Sequence, residues 1–73
     1  MATALHSARV YRLVYRPRGQ KRFIQIGWER GLIDAQARWV HIVNLAVRRQ
    51  TQRIGELRLI DDAGRVVEST VVE

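Results

Sequence analysis

Apolar and polar residues alternate from Arg9 to Arg16: Tyr11, Leu13 and Tyr15 fall on one side of an extended chain, and Val10, Arg12, Val14 and Arg16 on the other. A period of two marks a β-strand, whose successive side chains point to opposite faces. Pro17-Arg18-Gly19-Gln20 supplies turn chemistry, proline presetting φ and glycine accepting positive φ. Alternation resumes from Lys21 to Trp28, with Ile24, Ile26 and Trp28 on one face and Phe23, Gln25 and Gly27 on the other. Residues 9–28 are therefore predicted to form a β-hairpin with cations at its tip.

The period then changes. Glu29 to Ile33 reads as a connector around Gly31, and Asp34 is placed to N-cap a helix predicted from about Ala35 to Gln50. Polar residues recur every three or four positions at Asp34, Arg38, His41, Asn44 and Arg48, which is a narrow helical stripe. Trp39, Val40, Ile42, Val43, Leu45, Ala46 and Val47 cover most of the remainder, more than a single sheet can bury, so a helix with two neighbours is expected. The β-branched content makes a strand over Trp39 to Val47 the competing reading. Arg48, Arg49 and Arg53 suit a helix C-terminus, and Gly55 marks the exit.

Two more alternating segments, Glu56 to Asp61 and Arg65 to Val72, flank Asp61-Asp62-Ala63-Gly64, a sequence suited to a type I turn followed by a left-handed glycine. The expected fold is α+β: a single small domain over residues 9–73, after a flexible lead-in of residues 1–8, in the order β-β-α-β-β. Its sheet is antiparallel, either four-stranded or split into two hairpins, and packs on one helix. Trp28 and Trp39 both fall at the spacing of core residues. Phe23 is left with two roles, an aromatic exposed in a binding surface or a plug for the far side of the sheet.

Length narrows the means of stabilisation. A chain of 73 residues buries less of its surface than a larger domain, and small scaffolds are supplemented by disulfides, metals or oligomerisation. There is no cysteine, and His6 and His41 lack the close partners of a zinc site, so homodimerisation is the expected supplement. Val40, Val43, Leu45 and Val47 are the candidate interface, with Val66, Val67, Val71 and Val72 available to pair across it. With 47% apolar and 27% charged residues the composition is that of a folded domain. No run reaches the ~18 apolar residues needed to span a bilayer, and the N-terminus lacks the pattern of a secretory leader. A cytoplasmic protein without a membrane partner is the expectation.

Charge then points to a partner. Arg9, Arg12, Arg16, Arg18, Lys21 and Arg22 follow one another without an acid, interleaved with Tyr11, Tyr15 and Phe23. Residues 1–33 hold seven cations and one acid, whereas residues 54–73 hold two cations and five acids, so the net +6 is concentrated at one end. Such a field steers polyanions toward it. Twelve of the thirteen basic residues are arginine, whose planar fork of donors matches phosphate and guanine edges. Arg12, Arg16, Arg18, Lys21, Arg22 and Gln25 are the candidate nucleic-acid contacts, on a two-stranded ribbon able to enter a major groove. Exposed cations on an edge hairpin also prevent edge-to-edge aggregation, which is the alternative reason for several of them.

No grouping of catalytic type accompanies this. Ser7 and Ser69 have no basic neighbour, Asp61 and Asp62 sit where aspartate bonds its own turn backbone, and His41 beside Arg38 reads as a solvated or interface residue. A non-enzymatic protein without metal, cofactor or small-molecule substrate is expected.

Tyr15-Arg16, the turn at Gly19, the strand Lys21-Arg22-Phe23-Ile24-Gln25-Ile26-Gly27, and then Leu32, Asp34-Ala35, Ala37-Arg38 and Leu45-Ala46 form a pattern over residues 11–46. It resembles the Arm-type N-terminal DNA-binding domain of phage and genomic-island tyrosine recombinases. That family lays an antiparallel sheet into the major groove, which implies DNA contact by Arg16, Arg18, Lys21, Arg22 and Gln25. The recombinase pattern of catalytic arginines and tyrosine is not found, so the resemblance does not extend to recombination. The C-terminal half, with Glu56-Leu57-Arg58-Leu59-Ile60-Asp61 and Gly64-Arg65-Val66-Val67, is similar to small uncharacterised bacterial β-β-α-β-β proteins, which implies a fold alone. The functional expectation is a small basic DNA-associated protein, an accessory or regulatory factor of a mobile element, with double-stranded DNA ranked above RNA. The alternative is a structural or adaptor protein that holds another protein by its apolar helix and strand edges.

Overall fold

A computed structural model describes residues 9–49 and 55–72, the side chains of residues 48 and 49 aside. The expected lead-in of residues 1–8, the expected helix end at Gln50, and Arg53 lie outside the described residues. In chain order the elements are β1 (Val10–Pro17), β2 (Ile24–Arg30), α1 (Leu32–Arg49), β3 (Gly55–Ile60) and β4 (Val66–Val72). The strands form one antiparallel sheet in the order β2-β1-β3-β4, so the two hairpins join through β1 and β3 into a continuous four-stranded sheet. The fold is α+β with the order β-β-α-β-β. The competing strand over Trp39 to Val47 is excluded, since those residues lie within α1.

Register explains the core. Leu13 lies opposite Leu59, and Tyr15 opposite Leu57, so the apolar sides of β1 and β3 share one face. The helix covers that face with Ala35, Trp39 and Ala46, all buried, and with half-buried Ile42 and Val43. Leu13, Leu57 and Leu59 are 0–1% exposed, and small alanines at 35 and 46 allow the helix to approach them closely. The opposite face of the sheet carries no helix. Among the described residues α1 therefore has one neighbouring layer, not the two its apolar width predicted.

The helix starts earlier than its composition suggests. Gly31, at φ +81°, turns the chain out of β2, and its carbonyl accepts the Ala35 amide at 3.1 Å. Asp34 is consequently not the N-cap. It lies in the first turn of α1, where a carboxylate still complements the exposed amides of the helix N-terminus. Gly55, read as the helix exit, is the first residue of β3, directly opposite Pro17. A Cβ at this position would overlap the Arg16 carbonyl oxygen and lie 2.9 Å from Tyr15 Cε1, so β3 begins on a residue without a side chain.

Strand β2 departs furthest from its alternation. It begins at Ile24, not Lys21, and runs on to Arg30. A β-bulge at the Leu13/Val14 step adds Ile26 as an extra residue, so Ile24 and Gly27 oppose Tyr15 and Leu13 while Gln25 and Trp28 oppose Val14 and Arg12. The phase change puts Gly27 beneath the helix. The Arg38 stem crosses there, 3.6 Å from where a Gly27 Cβ would stand, and Arg38 Nε donates to Glu29 Oε2, tying α1 to β2. It also carries Trp28 to the helix-free face, where it is 51% exposed; Trp39 is the core tryptophan, at 9%.

Candidate nucleic-acid interface

The first hairpin turns as its sequence dictates. The Gln20 amide donates to the Pro17 carbonyl at 3.0 Å, and Gly19 has a φ of +86°. Arg18, Lys21 and Arg22 lie in this β1–β2 loop and are exposed. Arg12 and Arg16 stand on the helix-free face of β1, and Gln25 opposes Val14 on the same face. All six predicted contact residues thus belong to one continuous surface, the helix-free face of the sheet and the loop that extends it.

Strand order adds residues from β3 that hairpin reasoning missed. Because β3 pairs with β1, Arg58 opposes Val14 and Glu56 opposes Arg16 on this face. Glu56 joins the two arginines: Arg58 Nε donates to Oε2 at 2.8 Å and Arg16 Nη2 to Oε1 at 3.0 Å. The Arg58 hydrogen bond, with the charges of both arginines, holds the Glu56 carboxyl below its ordinary range, although partial desolvation pushes the other way. Both guanidiniums also lie over the half-buried Phe23 ring, at 4.6 Å for Arg58 and 5.2 Å for Arg16 from its centroid. Phe23 therefore plugs the far side of the sheet and orders two cations at once.

Three other acids are engaged away from this surface. Asp62 meets Arg9 at 3.3 Å, and Glu29 meets Arg38. Asp61 accepts from the amides of Ala63 and Arg65, both at 2.9 Å, as its turn position predicted. The Arg65 amide bond contributes most to keeping its carboxyl below the ordinary value. Among the described residues, Arg12, Arg18, Lys21 and Arg22 form no ion pair. Beside the loop a groove of about 700 Å3 is lined by Arg16, Arg18, Gly19, Gln20, Gly55, Glu56 and Val71.

The candidate interface residues of the helix separate into groups. Val40 and Val47 are 55% and 66% exposed and fall in line with Ile33, at 83%, one residue in seven. Val43 is half-buried against the core. Leu45 is half-buried and, at 3.6 residues per turn, lies on another side of the helix from Val40. His41 is exposed beside Arg38. Among the described residues no three His, Asp or Glu side chains gather as a metal site, and no helix is long and apolar enough to cross a membrane.

No protein-family model, curated protein or solved structure matches this chain.

Proposed function

We propose that this protein binds DNA through the helix-free face of its sheet and the β1–β2 loop. The observation that carries this reading is the set Arg12, Arg18, Lys21 and Arg22, exposed and without ion pairs among the described residues, beside Arg16 and Arg58, which share the single carboxylate Glu56. These six cations share one acid among the described residues of this surface, a balance that favours a polyanion, and arginine forks favour phosphate. The resemblance of residues 11–46 to Arm-type domains supports the same partner. The role is that of a non-enzymatic accessory or regulatory factor of a mobile element, acting in the cytoplasm.

The test is fluorescence anisotropy of a labelled duplex across 50 to 300 mM salt. Contact with four to six phosphates gives a slope of log affinity on log salt of about −4 to −5. A variant with Arg12, Arg16, Arg18, Lys21 and Arg22 changed to glutamine, folded by circular dichroism, is expected to lose most of that slope. Equal binding by this variant would send the search to protein partners.

A second reading, compatible with the first, rests on the outward helix line Ile33, Val40 and Val47: two copies pair through it into a homodimer. These residues are exposed in the single chain, so Val40→Lys leaves folding intact. It is expected to shift a dimer to monomer in sedimentation velocity; a wild type that sediments as a monomer at all concentrations would end this reading.

A further inference from the structure

The helix-free face holds an aromatic that neither packing nor phosphate contact employs. Trp28 is 51% exposed on β2, directly across from Arg12 and two residues from Arg30 on the same face. Phe23 has both its neighbouring arginines over its ring, whereas among the described residues no guanidinium lies over Trp28. A tryptophan ring half-open to water beside an arginine without an ion pair is a costly surface for a monomer to keep, and it matches what a nucleobase presents, a flat apolar face next to a phosphate.

The form of DNA follows from dimensions. Four strands at ~4.8 Å spacing put the outer strand axes about 14 Å apart before side chains are added. A major groove is about 12 Å wide, so the four-stranded sheet does not lie flat in it; the loop reaches in while the cations of the face meet phosphates at the groove's rim. Nor does a duplex offer Trp28 a partner, since each base face is already covered by the next pair. An unpaired strand meets both conditions. Along β1 the path from the level of Arg12 to the turn at Pro17 is about 17 Å, which about five stacked nucleotides cover. We infer that the helix-free face takes single-stranded DNA, with Trp28 stacking on an unpaired base, Arg12 on its phosphate, and the loop cations following the backbone.

This inference rests on the DNA-binding reading and adds the form of the ligand. Its test compares a fifteen-residue oligothymidylate, the corresponding duplex and a fifteen-residue oligouridylate by anisotropy, together with tryptophan emission, for the wild type, Trp28→Leu and Trp28→Phe. Leucine retains apolar bulk without a stacking plane, and phenylalanine restores a ring. Oligothymidylate is expected to bind about tenfold more tightly than duplex and to quench the emission of exposed Trp28 while buried Trp39 persists. Trp28→Leu is expected to lose about tenfold in oligothymidylate affinity, within the usual range for one stacked base, and Trp28→Phe to recover most of it. Unchanged affinity in Trp28→Leu, unquenched emission at saturation, or tighter binding of duplex or oligouridylate overturns the inference. If the cation-to-glutamine variant still loses duplex binding in that event, the DNA reading survives without the stacking site; if no nucleic acid binds the wild type, both fall.

Discussion

Glu56 gives the sharpest test of the proposed DNA surface, because this carboxylate would oppose phosphate binding while it aids the fold. Its oxygens lie 3.0 Å from Arg16 Nη2 and 2.8 Å from Arg58 Nε, so a phosphate held on the free edge of either guanidinium would stand about 6 Å from the carboxylate. Unscreened like-charge repulsion at ~6 Å in water corresponds to roughly a threefold loss of affinity, and the ~8 Å screening length at physiological salt reduces it below about twofold. Glu56→Gln is therefore expected to raise DNA affinity by about two- to threefold at 20 mM salt and by less at 150 mM. Phe23 keeps both arginines in place when the carboxylate is gone. The control is Asp62→Asn, which changes net charge equally but lies in the β3–β4 turn, beyond the end of β3, whose stretch from Glu56 to Ile60 is about 13 Å. Anisotropy of labelled DNA with both variants reads the difference. Weaker or unchanged binding by Glu56→Gln, or an equal gain from Asp62→Asn, would refute the placement of phosphate on this face.

Other outcomes follow from the same structure. Leu59→Ala removes a side chain that is 0% exposed at the centre of the sheet; it is expected to cost about 2–5 kcal/mol in urea unfolding, a large share of the ~4–11 kcal/mol typical for a chain this long. Gly55→Ala drives a methyl group into the Arg16 carbonyl and is expected to cost about 1–3 kcal/mol, where an ordinary strand glycine would gain from the change. Acid unfolding has a fixed sign. Glu56 and Asp61 titrate below their ordinary values, so their stabilisation is complete above the unfolded carboxylate value of ~4 and is lost as pH falls through the lower folded values. A pH series of melting temperatures is expected to fall below about pH 4, and less steeply for Glu56→Gln.

Much of this fold is legible in the residues because local signals agree with the global arrangement. Tyr11, Leu13 and Tyr15 alternate cleanly with Arg12, Val14 and Arg16, and the turn at Asp61 to Gly64 needs only its aspartate and its glycine, at φ +84°. Strand β2 is different, because a single bulge residue reverses the phase of everything after Ile26, and no period reveals it. That is why Trp28 reads as core while it stands on the open face. Gly27 is the one hint, a residue without a side chain where the Arg38 stem has to cross. The helix start was obscured for a related reason: a glycine carbonyl serves where a capping side chain was expected. At the site, the hairpin cations were visible as a run, whereas Arg58 and Glu56 join them only through the β1–β3 pairing, a contact forty residues apart that local patterning does not encode.

Amide chemical-shift mapping of the 15N-labelled protein with a short DNA would show whether DNA meets the helix-free face and its loop, as proposed. Perturbations are expected to gather at Arg12, Arg16, residues 18–25, Trp28 and Arg58, while Arg38, His41 and Val40 on the helix stay silent. Perturbations confined to α1, or none at millimolar DNA and low salt, would contradict the proposal.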